Sequence, residues 1–279
     1  ETLIWYWEHR EGLWCSLNQF YKSMQTSKQA IHQMLERRML FHEESNYLLK
    51  IVGQIRSDHP TLSCRAMYYK IKPEFIGRDA FERMCLEFGY AIEQKRNLHR
   101  TTDSCGVIRF DNLLIDITLS NINQALSSDI TYYEINERFY YVTFVMDCYS
   151  RRILGHSVSQ RLTTEQTTLP ALREAIKVRQ NSMIAGMIFH SDGGGQYYDK
   201  AFLKLTKEWE MRNSMCEYAW ENGKAERLNG VIKNNYLKHR SINTYEELVK
   251  EVDLSLYLYN SDKPHIELKR KTPVEFEND

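Results

Sequence analysis

The chain has 279 residues, 42% of them apolar and 27% charged, and its 37 basic and 37 acidic residues cancel to zero formal net charge. That make-up suits a globular protein of one large domain or two to three small ones and argues only mildly against nucleic acid as a partner, since balance over a whole chain can hide local basic patches. No apolar run approaches the roughly 20 residues that cross a bilayer and no signal peptide opens the chain, while six scattered cysteines without a C-x-x-C pair exclude a zinc ribbon or a secreted disulfide framework and point to a reducing cytoplasm.

Residues 1–45 and 46–94 are expected to form two helical units of the helix-turn-helix kind. The first residue is Glu1 rather than Met, so a natural start further upstream is expected. Leu17, Phe20, Tyr21 and Met24 recur at helical spacing. Thr26-Ser27-Lys28-Gln29 supplies a capping box, with a hydroxyl at the N-cap and Gln three residues on. The helix that follows should bury Ala30, Ile31, Met34 and Leu35 and expose Lys28, Gln29, His32, Gln33 and Arg37. A short second helix with polar and basic groups near its start is what reading a major groove requires; a plain helical hairpin packed on another element is the alternative. In the second unit Leu48, Ile51, Val52 and Ile55 form an amphipathic stretch that ends near His59-Pro60. Ser63 can cap a second helix carrying Met67, Tyr68 and Ile71 up to Pro73. A third, from Gly77 to Phe88, should turn Phe81, Met84, Cys85 and Phe88 inward, with Gly89 as its stop. It leaves Arg78, Glu82 and Arg83 outside, a mixed-sign face that suits solvent or, through Arg78, DNA.

Residues 95–125 lack periodicity and read as a linker, whose basic start at Lys95, Arg96 and Arg100 suits either a phosphate backbone or solvent. From 126 the pattern changes. Strands are expected at 130–135, 139–147 and 152–158, then a helix at 164–178, a strand at 183–190, a helix at 199–209, an extended piece at 212–216 and a helix from about 222. Three strands followed by alternating helices and strands predict an α/β fold, a mixed sheet covered by helices in the order of a ribonuclease H-like core, over 126–242. Asn243-Thr244-Tyr245-Glu246 reads as another capping box. It opens a last helix, with Leu248, Val249, Val252 and Leu256 on one face, in a terminal segment 243–279.

Three acids in this second half share a chemistry. Asp129 lies in the strand-like run from Asp129 to Tyr133. Asp192 ends another and is followed at once by Gly193-Gly194-Gly195. Glu226 lies in the helical stretch WENGKAERLNGVIKNNYL. In the expected strand order Asp129 and Asp192 are neighbours whose carboxylates meet at one edge, and a helix crossing that edge brings Glu226 to complete a cage. Such a cage suits a pair of divalent cations, Mg²⁺ with Mn²⁺ able to substitute, which activate a nucleophile and stabilise the leaving oxygen of a phosphodiester. Asn222 is a natural N-cap for that helix. Glu226, Gly230 and Lys233 share one helix face. Gly230 would admit a phosphate backbone and Lys233 would contact it, unless Lys233 is a plain exposed lysine; Arg227 beside them is a further DNA-contact candidate.

At these residues the sequence resembles the bacterial insertion-sequence transposases whose core is similar to retroviral integrase. The matching segments are SDITYY, FVMDCYSRRILG, FHSDGGGQYY, ENGKAERLNGVIKNNYL and YNSDKPHIELKRKTPVEF, in fixed order. The resemblance implies a DDE transposase that binds the terminal inverted repeats of its element on double-stranded DNA; because transposition holds two ends together, a dimer or higher oligomer on DNA is expected. With Mg²⁺ it would free 3′-hydroxyls and use them to attack DNA. It carries the metal-binding acids over as Asp129, Asp192 and Glu226, gives Asp147 a turn-stabilising role within Asp-x-x-Ser-Arg, and matches His190, read as a packed imidazole; Glu221 reads as a surface group. The chain departs from the pattern at Ser127 and Ser128, where Trp and Thr are usual. It departs again at the 33 residues between Asp192 and Glu226, two fewer than usual, a shortening expected in a mobile loop at 216–220. No leucine heptad is visible upstream. A ribonuclease H-like nuclease without strand transfer and a catalytically silent, transposase-derived DNA-binding protein are the alternatives.

Overall fold

The computed structural model of the protein describes residues 9, 11, 16–23, 25–92, 110–115, 117–179, 184–216 and 219–279. They divide into two compact units, one up to Ser57 together with Ser63–Ala91, the other Asp58–Leu62 together with Ile92–Asp279. Lys95 and Arg96 fall outside the described residues, as does most of the expected linker.

The first unit is all-α, with α1 Leu17–Ser23, α2 Lys28–Asp58, α3 Cys64–Ile71 and α4 Arg78–Glu87. Two separate units meeting at 45/46 are corrected by α2, which runs unbroken for 31 residues through that point. No Gly or Pro interrupts residues 28–52, so nothing in the sequence ends the ladder there. Its cap is also one residue later than the sequence suggests, since the Ala30 N–H donates to Ser27 Oγ at 3.1 Å. Ser63 caps α3 as expected, accepting from the Ala66 N–H at 3.2 Å, and Gly89 closes α4 at φ +78°. Ile31, Leu48, Val52, Met67, Phe81 and Cys85 form the core. Burial of Ala30, Met34 and Phe88 is corrected: all three are exposed, Phe88 by 61%. Lys28, Gln29, His32, Gln33 and Arg37 all face solvent.

The second unit is α/β. Its strands are β1 Ala125–Ile135, β2 Arg138–Asp147, β3 Ile153–Ser159, β4 Ile188–Ser191 and β5 Arg212–Met215. They form one sheet in the order β3-β2-β1-β4-β5. The first three are antiparallel neighbours, while β4 and β5 add parallel to β1. This mixed sheet is the ribonuclease H-like order expected. β1 begins well before 130 because the buried Ala125 to Ser128 join it. Alternation along the strands then sorts two cores. On one face Ile135, Phe144 and Met146 pack with Leu228, Ile232 and Val252 from α7 Gly223–Asn235 and α8 Tyr245–Tyr257. On the other, Leu126, Val145 and Phe189 pack with Leu172 and Phe202 from α5 Thr168–Arg179 and α6 Lys200–Glu208. Gly155 lets α5 lie directly on β3: a Cβ there would stand 2.1 Å from the Ala171 carbonyl oxygen.

The residues after 243 belong to this unit and are no separate domain. The capping box of α8 is Thr244 with Glu247, one residue beyond the expected set. The tail ends in α9, Pro273–Glu277. There the buried Glu277 carboxylate accepts from Arg179, from Arg152 Nη1 at 2.6 Å and from Ser150 Oγ at 2.5 Å. Asp147, wholly buried, accepts from the backbone N–H groups of Tyr149 and Ser150, both at 2.9 Å, and from that of Asn123 at 2.9 Å. Its turn-stabilising role is thus what the structure shows. Among the described residues no helix is long and apolar enough to cross a membrane.

Candidate active site

The parallel pairing of β1 with β4 sets the geometry of the acids. Ser128 lies opposite Ser191, so the next residues, Asp129 and Asp192, leave adjacent strands at one level, where strands stand about 4.8 Å apart. Asp129 accepts from the Ile130 N–H at 2.8 Å through Oδ1 and from Asn229 Nδ2 at 2.8 Å through Oδ2. Asp192 Oδ1 accepts from the Gly194 N–H at 3.1 Å, the bond that folds the glycine run back on its acid. Burial, then the neighbouring Asp192 and Glu226 carboxylates, push Asp129 up to about 7 against those two hydrogen bonds. Burial also raises Asp192. Glu226 is exposed in the first turn of α7, with no hydrogen-bond or ion partner among the described residues. Among those residues no three His, Cys, Asp or Glu side chains stand close enough to hold a metal ion. The donor set itself fits a hard divalent cation: two half-buried carboxyl groups whose pKa values burial raises, so that a bound cation would favour their charged form, and a third acid within electrostatic reach.

Several supports are invisible in sequence. Asn222 has no side-chain cap bond at the start of α7, which corrects the N-cap expectation. Its Nδ2 instead donates to the Ser128 carbonyl at 3.1 Å, tying that helix to β1 beside Asp129. Asn229, one turn beyond Glu226, holds Asp129 directly; the shared helix face was the signal available. The buried Tyr197 hydroxyl bonds Ser128 Oγ at 2.9 Å. Its phenol is raised well above its usual value by burial and then by the acids at Asp192 and Asp129. The hydroxyls of Thr164 and Thr168 donate to the Gln196 carbonyl at 3.2 and 3.1 Å and so brace the glycine-rich turn after Asp192.

The remaining sequence candidates fall in different places. A Cβ at Gly230 would meet only Asn234 Nδ2, at 3.9 Å, and an open groove runs past Gly223, Glu226, Arg227 and Gly230. Lys233 is half-buried with its ammonium 4.7 Å from the centre of the Tyr132 ring, and burial lowers its pKa. Arg227 pairs loosely with Glu267 at 3.6 Å, and Arg78 is held by Asp79 at 2.7 Å. His190 is 1% exposed, bonded through Nδ1 to Ser214 Oγ at 2.9 Å and lowered to about 4 by burial, which outweighs the opposing pull of Glu221. That is the packed imidazole expected. Glu221 is no plain surface group: half-buried, it accepts from Asn112 Nδ2 at 3.0 Å. Two residues of the expected mobile loop, 217 and 218, lie outside the described ones.

A sheet of this order with acids at adjacent parallel strand ends defines an integrase-type core. Two sequence models of the integrase core domain match residues 120–219 and 209–273, together over half of the chain. The chain belongs to the bacterial insertion-sequence transposases with an integrase-like core. It is 27% identical over 206 residues to the insertion element IS600 uncharacterized 31 kDa protein of Shigella sonnei, covering 72% of this chain and 75% of that one. It is 33% identical over 161 residues to the putative transposase for insertion sequence element IS986/IS6110 of Mycobacterium tuberculosis, covering 53% and 58%. The match thus spans little more than half the length of the mycobacterial relative. Among solved structures, the HTLV-2 integrase catalytic core in complex with magnesium is similar at TM-score 0.46 and 19% identity, over 56% of this chain and 97% of that one.

Proposed function

We propose that the protein is a DNA transposase that binds the terminal inverted repeats of its element, cleaves there and joins the freed 3′ ends to target DNA. The observation that carries this is the pair Asp129 and Asp192 at one level of adjacent parallel strands, with Glu226 in electrostatic reach. Asp129, Asp192 and Glu226 are the residues that would hold magnesium, two ions in the full site, with manganese able to substitute. Bound there, the ions supply an activated attacking oxygen and charge stabilisation for the departing one. Asn229 and the Gly194 N–H fix the two aspartates in place, while Gly230 leaves room beside Glu226 for a DNA backbone that Arg227 and Lys233 can neutralise. Lys28, Gln29, His32, Gln33 and Arg37 form the repeat-binding surface, with Arg78, Lys95 and Arg96 as further phosphate contacts. Two ends must be held together, so the active form on DNA is a dimer or higher oligomer of this chain.

The test is a Mg²⁺-dependent assay with duplexes carrying the element ends. Wild-type protein is expected to nick and join. Asp129→Asn, Asp192→Asn and Glu226→Gln should each abolish both steps while leaving duplex binding nearly intact, because each removes an anionic ligand with little change of volume. An Asp192→Asn protein that joined strands at the normal rate would overturn the assignment. Nicking without joining would instead identify a nuclease, and binding alone a silent DNA-binding protein.

A further inference from the structure

Helices α3 and α4 meet through side chains that recede along one helix as they advance along the other. Tyr68 lies against Phe81, with ring centres 5.7 Å apart. Arg65 Nε donates to Glu82 Oε1 at 2.8 Å. The next pair in that register is Cys64 with Cys85, one turn before Tyr68 and one turn after Phe81, and their two thiols are in hydrogen-bond contact. Tyr90, just beyond α4, closes the same corner. Its carbonyl accepts from the Cys64 thiol at 3.6 Å, and its N–H donates to the Cys85 carbonyl at 2.8 Å. Both cysteines are free.

The two thiols differ in access. Cys64 is the first residue of α3, directly after the Ser63 cap, and is partly exposed, whereas Cys85 is wholly buried. Among the described residues Cys64 is the one free cysteine that is not buried, since Cys148 and Cys216 lie inside the second unit. Burial, then the neighbouring Cys64, push the Cys85 thiol up to about 12, with the Arg56 guanidinium opposing them. A small oxidant therefore reaches the Cys64 sulfur first, and the sulfur in contact with the product is that of Cys85. An accessible cysteine beside a resolving one is the arrangement that reversible thiol oxidation requires. Packing alone accounts for Cys85 as a small apolar core residue, but not for a second, partly exposed thiol held against it.

We propose that Cys64 and Cys85 are a modification site in the helical unit, a dithiol that a hydroperoxide converts to a disulfide. With hydrogen peroxide, the Cys64 sulfur attacks one peroxide oxygen and the O–O bond breaks. Cys64 becomes a sulfenic acid, and the other oxygen leaves as water with the thiol proton. The Cys85 sulfur then attacks the Cys64 sulfur, the S–O bond breaks, and the departing hydroxide takes the Cys85 proton as a second water. The two thiols together lose two electrons, and one peroxide gains them. The new bond staples α3 to α4 and closes residues 65–84 into a loop that carries Arg78, so oxidation restricts the segment presenting that side chain. A thiol reductant reverses it by exchange.

The test uses the full chain, reduced, freed of reductant and then exposed to hydrogen peroxide. Remaining thiols are blocked, and tryptic peptides are weighed with and without dithiothreitol. The expected product is peptide 57–65 joined to peptide 84–95, lighter than their sum by two hydrogens and lost on reduction. Cys64→Ser should abolish the link and leave Cys85 a thiol. Cys85→Ala should stop the reaction at the Cys64 sulfenic acid, which dimedone traps; Cys85→Ser serves if that variant fails to fold. Thermal unfolding of the helical unit should move to higher temperature on oxidation of the wild type and stay unmoved in Cys64→Ser. A dimedone adduct on Cys64 as abundant in the wild type as in Cys85→Ala, a link from Cys64 to any other cysteine, or a Cys64 thiol left intact in excess peroxide would overturn the proposal.

Discussion

Replacing Asp129 with Asn should destroy the metal-dependent chemistry and yet make the metal-free protein more stable at neutral pH. The folded chain holds the Asp129 carboxyl at about 7 against an ordinary value of 3.8. Between those values the folded state binds more protons than the unfolded one, so stability falls as pH rises from about 4 to 7. A shift of some three units at 1.36 kcal/mol each sets a ceiling of about 4 kcal/mol, and solvent access to the acid edge lowers the expected figure to about 2 kcal/mol. The amide introduces little compensating loss. Its oxygen can still accept from the Ile130 N–H, and its NH₂ faces Asn229, whose unpartnered Oδ1 can accept once that amide turns over. Urea and thermal unfolding of the sheet-bearing unit in EDTA, at pH 5.0 and 7.5, measures the effect. The variant should be more stable than wild type by about 2 kcal/mol at pH 7.5, or about 4–8 °C in Tm, and nearly equal to it at the low end of the window. Adding Mg²⁺ should restore stability to the wild type and not to the variant. A variant less stable than wild type at pH 7.5, or one with the same pH slope, would refute the reasoning.

Glu277→Gln should destabilise the second unit by about 3–5 kcal/mol in urea unfolding, because it leaves the buried Arg179 guanidinium short of its main counter-charge. Tyr197→Phe should cost about 1–3 kcal/mol in the same measurement, since it orphans the fully buried Ser128 hydroxyl. His156 sits between Asp253 at 2.7 Å and Glu174 at 3.1 Å; burial alone would lower its pKa, but the two acids outweigh it and the net shift is upward. Its contribution is therefore complete below about pH 6.5 and lost as pH rises through the higher folded value, and His156→Gln should remove the part of the melting profile that declines as pH rises above about 6.5. Lys28→Ala should flatten the salt dependence of repeat binding and Gln29→Ala should relax base preference by about 1–3 kcal/mol, both read by competition binding; footprints that leave the first unit off the DNA would exclude this.

The strand and helix settings of Asp129, Asp192 and Glu226 were legible because each lies in a short motif whose neighbouring residues announce the element. Gly193-Gly194-Gly195 marks the end of β4, and the apolar spacing around Glu226 marks α7. Their supports were not legible, since what Asn222 and Asn229 touch depends on how α7 docks on β1. Asn222 looked like a cap by residue type, yet tertiary contact redirected its amide to Ser128. The early start of β1 was missed because the buried Ser127 and Ser128 read as loop polarity in a chain fragment. In the helical unit, periodicity located α3 and α4 and the cap at Ser63. It failed near the start of α2, where Ala30 and Met34 were expected inside with Ile31 but are exposed.

The order of the sheet also decides when the protein can first act. Asp129 and Asp192 meet only after β4 has found β1 across the whole β2–β3–α5 excursion, and Glu226 arrives later still. Parallel pairing over such a separation is slow, because the closure entropy is lost before any contact returns it. A chain emerging from the ribosome therefore carries its helical unit before Asp129 and Asp192 can meet. On the function proposed above, metal-dependent chemistry would begin only with completion of the sheet.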